Sequence, residues 1–150
     1  MYKKILVPLD GSRRAEAILP HVIELAQIQD SKLVLLTIVE PILRTSGLYP
    51  TLISFDAEIF SQQRETAEEY VKELASDLNG RGIETSTIIE HGSIVRSIIS
   101  VAKREEADLI AIASHGRTGL SRTFYGSVAA GLLNQIDRPL LLVRAADENE

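Results

Sequence analysis

Five short aliphatic runs, separated by stretches with helical spacing, constrain this chain more than any other feature. Lys4 to Pro8 is the first, closed by the turn cluster Leu9-Asp10-Gly11-Ser12. Leu33 to Val39, stopped by Glu40-Pro41, is the second, and the alternating stretch Ile83 to Glu90 is the third. Ala107 to Ala113 and Pro139 to Val143 complete the set. Uninterrupted aliphatic runs of this length suit strands covered on both faces, as in parallel sheets. Between them, Ala15, Ile18, Leu19, Val22, Ile23, Leu25 and Ala26 predict a helix behind Ser12, a suitable N-cap. Ile59, Ala67, Tyr70, Val71, Leu74 and Leu78 predict a long helix from about Asp56 to Leu78, ended by Asn79-Gly80. Gly92-Ser93 opens a third helix, with Ile94, Val95, Ile98, Ile99, Val101 and Ala102 inward, and a short fourth runs from Gly126-Ser127 to about Gln135. Ile42 to Phe55 lacks periodicity and is expected to be a long surface loop covering a site.

This alternation implies an α/β domain: an open five-stranded parallel sheet with helices on both faces. Residues 1–144 are expected to form one domain, with 145–150 as an acidic tail. A chain of 150 residues buries roughly 68–70% of its unfolded surface, so it needs no staple. Sixteen Lys and Arg against 21 Asp and Glu leave a net charge of −5, which argues against a nucleic-acid partner. Cysteine is absent, removing disulfides, thiolate metal sites and thiol nucleophiles. No run approaches the ~20 apolar residues of a membrane span, and the first apolar run is too short for a signal sequence. No membrane partner is expected, and the expected compartment is the cytoplasm.

Open α/β sheets bind ligands outside the carboxyl ends of their strands, where strand order reverses. Three features fall there: Pro8 to Ser12, Ile38, and Ala113-Ser114-His115-Gly116-Arg117-Thr118-Gly119 running on to Gly126-Ser127. The last is the richest. Small residues let backbone N–H groups approach an anion, and a helix N-terminus offers exposed amides and a positive dipole end. Arg117 and Arg122 add positive charge, and Ser127 is placed to meet a phosphate while capping the helix. The plain alternatives are a glycine-rich loop with a serine cap, an Asx-turn at Asp10, and a core role for Ile38. Gly-x-x-x-x-Gly-Lys-Ser/Thr is missing, and only Gly11 stands where a dinucleotide fingerprint needs three glycines. His115 reads as a loop histidine, and His21 and His91 as surface or boundary residues.

Taken together, Lys3 to Ser12, Ala107-Asp108-Leu109-Ile110, Ser114 to Arg122, Gly126-Ser127-Val128-Ala129 and Arg138 to Val143 resemble the universal stress protein family across nearly the whole chain. The resemblance implies a Rossmann-like sheet in order 3-2-1-4-5, of the adenine-nucleotide alpha-hydrolase type. It also implies a site for ATP, or AMP or ADP in its place, together with Mg²⁺. The family's nucleotide-binding branch carries Gly-x-x-Gly, nine residues, then Gly-Ser/Thr. Gly116, residues 117–125, Gly126 and Ser127 match it, whereas Ala113 stands in place of the first glycine. A left-handed backbone at Ala113 would cost ~1–2 kcal/mol. Carried over residue by residue, Pro8, Leu9 and Asp10 would contact the nucleoside or a metal, and the Ile38 backbone would meet the adenine edge. Gly116, Arg117, Gly126, Ser127 and Val128 would hold the phosphates.

A regulatory nucleotide-binding protein with slow or no hydrolysis is the leading reading, since no base is positioned for phosphoryl transfer. A dimeric scaffold of the same fold without nucleotide stays open beside it. A small α/β hydrolase using Ser114 ranks third, because its elbow needs Gly-x-Ser-x-Gly and this chain has Ala113. A phospho-receiver domain is rejected for want of an Asp after the third strand. The last strand, Leu140-Leu141-Leu142-Val143, is an apolar edge without charge or internal proline, and predicts a two-fold homodimer.

Overall fold

The computed structural model describes residues 1–41, 57–115 and 126–145. Within them lie β1 (Lys4–Pro8), α1 (Arg13–Glu16), α2 (Leu19–Gln29), β2 (Lys32–Val39), α3 (Ala57–Gly80), β3 (Thr85–His91), α4 (Ile94–Arg104), β4 (Leu109–His115), α5 (Ser127–Gln135) and β5 (Leu140–Ala145). The strands form one parallel sheet in order β3-β2-β1-β4-β5. The expected loop from Ile42 to Phe55 lies outside the described residues, as do Gly116, Arg117 and Arg122.

Side chains alternate across the sheet and build two cores. Ile5, Val7, Leu33, Leu35 and Ala111 pack on one face against Ile18, Val22, Val71 and Leu78 of the α1–α3 side. Leu6, Val34, Leu36, Ile110 and Ile112 pack on the other against Ile98, Val101, Ala129 and Leu132 of α4 and α5. Burying each such side chain contributes about 1.5–3 kcal/mol, and this double cover is why the strands read as unbroken aliphatic runs.

Several boundaries differ from the sequence reading for identifiable reasons. The helix behind Ser12 is two helices. Pro20, in the first turn of α2, has no N–H to give to the preceding turn, so α1 stops at Glu16 and α2 starts afresh. Ser12 does cap α1, its hydroxyl accepting the Ala15 N–H at 3.1 Å. The stop of α3 is Gly82 rather than Asn79-Gly80. Gly82 sits at φ +81°, its N–H donates to Asn79 O at 2.9 Å, and the Ile83 N–H returns to Leu78 O at 3.0 Å. That is the paired bonding of a Schellman stop. Asn79 instead bridges α3 to β3, donating to Ala75 O and Thr85 O and accepting the Thr85 N–H. β4 and β5 each start later and run two residues further than their aliphatic runs, taking in Ser114-His115 and Arg144-Ala145.

Two polar anchors hold the amino-terminal ends of the strands. Arg138 donates to Ala102 O and Ala107 O, at 2.7 and 2.8 Å, joining the end of α4 to the start of β5. Asp108 accepts the N–H groups of Lys3 and Lys4 at 2.8 and 2.9 Å, joining the start of β1 to β4. Bonds from the Lys4 and then the Lys3 amide hold the Asp108 carboxyl below its usual range. A lowered folded pKa contributes stability that is present above the unfolded value, ~3.9, and is lost as pH falls through the folded one. Asp108→Asn is therefore expected to lower the urea midpoint at pH 7, with the gap to the parent narrowing steadily below about pH 4. A gap independent of pH in urea titrations from pH 7 to pH 2.5 would remove the charge from this anchor.

Candidate functional site

The site arises because neighbouring strands end at different heights. β1 pairs with β2 only as far as Pro8 opposite Leu36, with one further bond from Leu9 N–H to Leu36 O at 2.8 Å. Toward β4 its register covers just Ile5–Leu109 and Leu6–Ile110. β2 continues to Val39 and β4 to His115, so a crevice opens above the end of β1, at the point where strand order reverses.

One property of Ile38 follows from this. Successive residues of a strand within a parallel sheet turn their N–H and C=O toward alternate neighbours. Leu36 faces β1, and Val39 faces β3, where its carbonyl accepts the Gly92 N–H at 3.2 Å. Ile38 therefore presents its backbone groups on the side that β1 has vacated, while its half-buried side chain packs against the α4–α5 core. The core role and the open backbone edge coexist in one residue.

A cleft of about 160 Å³ fills the crevice. Pro8, Leu9, Asp10 and Ile38 line it from the β1–β2 side, Ala113 from β4, and Gly126, Ser127 and Val128 from the start of α5. Eight of the ten sequence-predicted residues thus meet around one space; Gly116 and Arg117 lie outside the described residues. Ile94, Ile98 and Ile112 add apolar wall that the search for polar motifs did not name. Their signal was present as the inward stripe of α4 and the fourth aliphatic run.

Several local expectations change. Ser127 does not cap α5: Gly126 is the N-cap, at φ −50° and ψ 159°, and brings no side-chain hydrogen bond. The first-turn amides of α5 are thus left without a side-chain cap at the cleft wall. Ala113 carries no left-handed strain. It lies within β4 opposite Val143, and Asp30 and Glu106 are the positive-φ non-glycine residues among those described. Ser114 is buried in β4 opposite Arg144, so it stands on a strand and not on the strand-to-helix elbow that a hydrolase nucleophile needs.

Asp10 forms the expected Asx-turn, one carboxylate oxygen accepting the Ser12 N–H at 2.9 Å. Next to it, Tyr70 of α3 donates its hydroxyl proton to Glu16 at 2.8 Å. Burial first, then that bond and the charges of Glu16 and Asp10, hold the Tyr70 phenol well above its ordinary range. The pair ties α1 to α3 beside the cleft. His21 and His91 are exposed, and His91 lies against Phe60 with ring centroids 4.8 Å apart.

The strand order and the crevice define a doubly wound α/β protein with a cleft at its switch point, where such sheets bind ligands. A family model described as the universal stress protein family matches residues 1–144, and the chain belongs to that family. It is 28% identical over 155 aligned residues to universal stress protein MJ0577 of Methanocaldococcus jannaschii, covering 96% of each. A solved structure of MJ0577 superimposes with a TM-score of 0.80 over 99% of both chains. Universal stress protein MJ0531 of the same organism is 30% identical over 146 residues, covering 96% of this chain and 83% of the relative. A universal stress protein solved in complex with cAMP shares the fold, with a TM-score of 0.64 at 20% identity over 97% of this chain. Among the described residues, no helix is long and apolar enough to cross a membrane.

The seating of α5 is testable. A Cβ built at Gly131 would lie 2.8 Å from Val95 Cγ2 on α4. Overpacking of that kind costs ~1–3 kcal/mol, against ~0.8–1.0 kcal/mol gained from alanine's helix propensity. Because the valine is stiff, overlap is expected to win: Gly131→Ala should lower the thermal midpoint, and adding Val95→Ala should recover it. Failure of the double variant to recover would show that the helices do not touch there.

Proposed function

We propose that the chain is a stress-associated regulatory protein that binds ATP, or another adenine nucleotide, in the cleft at the carboxyl end of the sheet. The uncapped start of α5, standing across the cleft from Ile38's open backbone edge, is the observation that carries this reading. Backbone amides at a helix N-terminus bind phosphate oxygens and favour negative charge. The Ile38 N–H and C=O match the donor and acceptor edge of adenine, and Pro8, Leu36 and Ile112 supply apolar surface for its faces. The 160 Å³ enclosed by the described walls is below the ~300–1,000 Å³ typical of whole-ligand sites, so in this reading the nucleotide extends beyond it. The relative solved with cAMP supports the same ligand class.

Mg²⁺ fits this inventory. It commonly takes one or two carboxylates and completes its shell with phosphate oxygens and waters, and Asp10 is the carboxylate on the described cleft wall. Bound there, the ion would neutralise phosphate charge. Hydrolysis is slow or absent in this reading, because Ser114 lies in a strand and Asp10 is the one carboxylate on the described cleft wall.

Ser127 is exposed in the first turn of α5, where an acidic side chain favours the helix dipole while repelling phosphate. Ser127→Glu is expected to keep or raise the melting temperature yet weaken Mg-ATP binding at least tenfold, ~1.4 kcal/mol, in calorimetry. Gly126→Val should weaken it as well. Tryptophan is absent and tyrosine numbers four, so co-purified adenine would also dominate the ultraviolet spectrum. Unchanged Mg-ATP affinity in both variants would move the phosphates elsewhere, and no binding by the parent would favour the scaffold reading.

We also propose that the chain forms a homodimer through β5. β5 pairs with β4 alone among the described strands, and Leu140, Leu141, Leu142 and Val143 remain partly exposed along it. Apolar edges of this kind are ordinarily covered. Sedimentation at micromolar concentration should give a dimer that Leu141→Lys converts to monomer; a monomeric parent would refute the pairing.

A further inference from the structure

The Asn79-Gly80 pair has no part in the cleft. It lies where α3 gives way to β3, at the amino-terminal end of the sheet, whereas the cleft stands above the carboxyl ends. Asparagine before glycine is the dipeptide most open to spontaneous deamidation, because glycine has no side chain to keep its amide nitrogen away from the asparagine Cγ. The chain has three asparagines, and Asn79 alone is followed by glycine.

The fold does not require that glycine. Gly11, Gly82 and Gly92 are the positive-φ glycines among the described residues, and Gly82 makes the stop of α3. Gly80 belongs to the last turn of α3, outside the left-handed region, and a Cβ built on it meets nothing within 4 Å. Alanine fits there and is the better helix former. What glycine adds at position 80 is chemical: an unhindered backbone nitrogen beside an asparagine.

Asn79, by contrast, is held on every polar atom. Its Nδ2 donates to Ala75 O at 2.8 Å and to Thr85 O at 3.0 Å, and its Oδ1 accepts the Thr85 N–H at 3.0 Å. The amide thus spans the turn from α3 to β3, whose Leu78 and Ile83 are buried in the α1–α3 core. These bonds fix the side chain, and helical geometry directs the Gly80 N–H back along the helix rather than toward Cγ. Attack on Cγ needs both to let go. A local opening of the turn releases them together, and Asn79 is exposed, so water reaches it.

We propose that Asn79-Gly80 is a self-modification site, shielded while the α3–β3 turn is closed and converted to aspartate or isoaspartate when it opens. Gly80 N gives its proton to solvent base and bonds to Asn79 Cγ. The Cγ–Nδ2 bond breaks, and Nδ2 takes a proton back from solvent and leaves as ammonia. Water then opens the resulting succinimide at either carbonyl, giving aspartate or isoaspartate. Neither product closes the turn as before. Aspartate sets an acceptor before the Ala75 and Thr85 carbonyls in place of two N–H donors, and isoaspartate adds a methylene to the backbone. The chain thereby carries a covalent record of having opened, and no nucleotide in the cleft is required.

The test holds the full chain at mildly alkaline pH with and without denaturing guanidinium chloride, then follows the tryptic peptide 73–81 by mass spectrometry. That peptide is expected to gain the mass of an amide-to-acid exchange in denaturant, and to do so at least tenfold more slowly in buffer. Gly80→Ala should slow the reaction in denaturant at least tenfold while melting at the parent temperature or above it. Asn79→Asp, which is one product of the reaction, should melt below the parent. Four results overturn the proposal: no mass gain in denaturant, equal rates in buffer and denaturant, an undiminished rate in Gly80→Ala, or Asn79→Asp melting with the parent. A lower melting temperature for Gly80→Ala also overturns it, since the fold would then need the glycine for itself.

Discussion

The early end of β1 is the constraint on which the rest of the molecule depends. In a parallel sheet every interior strand spends its backbone groups on two neighbours. When the central strand stops at Pro8 while β2 reaches Val39 and β4 reaches His115, the longer strands keep polar edges with no strand to meet them. The fold resolves this by building concave space above β1. Turning the chain at Asp10 through its bond to the Ser12 N–H moves α1 aside and leaves the crevice open.

Both sides of that crevice present main-chain chemistry. Ile38 supplies a strand edge, and the Gly126–Ser127 start of α5 supplies helix amides. Among the described residues, side chains contribute mostly apolar wall, from Leu36, Ile94, Ile98 and Ile112, with Asp10 as the charged exception. Such a lining offers backbone polar groups set in apolar surface.

Much of this was legible in the residues. Strands covered on both faces leave unbroken aliphatic runs, so all five were visible with the alternation that places helices between them. The glycine-and-serine pattern at 126–127 located the start of α5, and the switch-point rule drew Pro8, Asp10 and Ile38 to the same end of the sheet. Boundaries were harder, because they depend on single backbone bonds. Pro20 divides a helix whose apolar spacing runs straight through it, and Gly82 halts α3 two residues after a plausible Asn-Gly. Ser127 misled because a serine beside a glycine has two ways to begin a helix, and only the backbone angles choose between them. Thr37 went unremarked inside the second run. A threonine among aliphatics reads as a good strand former, and nothing local reveals that its hydroxyl finds no partner among the described residues.

The anchor between Asp108 and the amides of Lys3 and Lys4 has a consequence for the order of assembly. The first strand of the sheet in chain order occupies its middle, and one of its flanks is matched only by β4, some hundred residues later. A nascent chain with β1, β2 and β3 complete still carries an open central ribbon. Until β4 forms, that flank of β1 has no strand beside it and stays an exposed, unpaired edge.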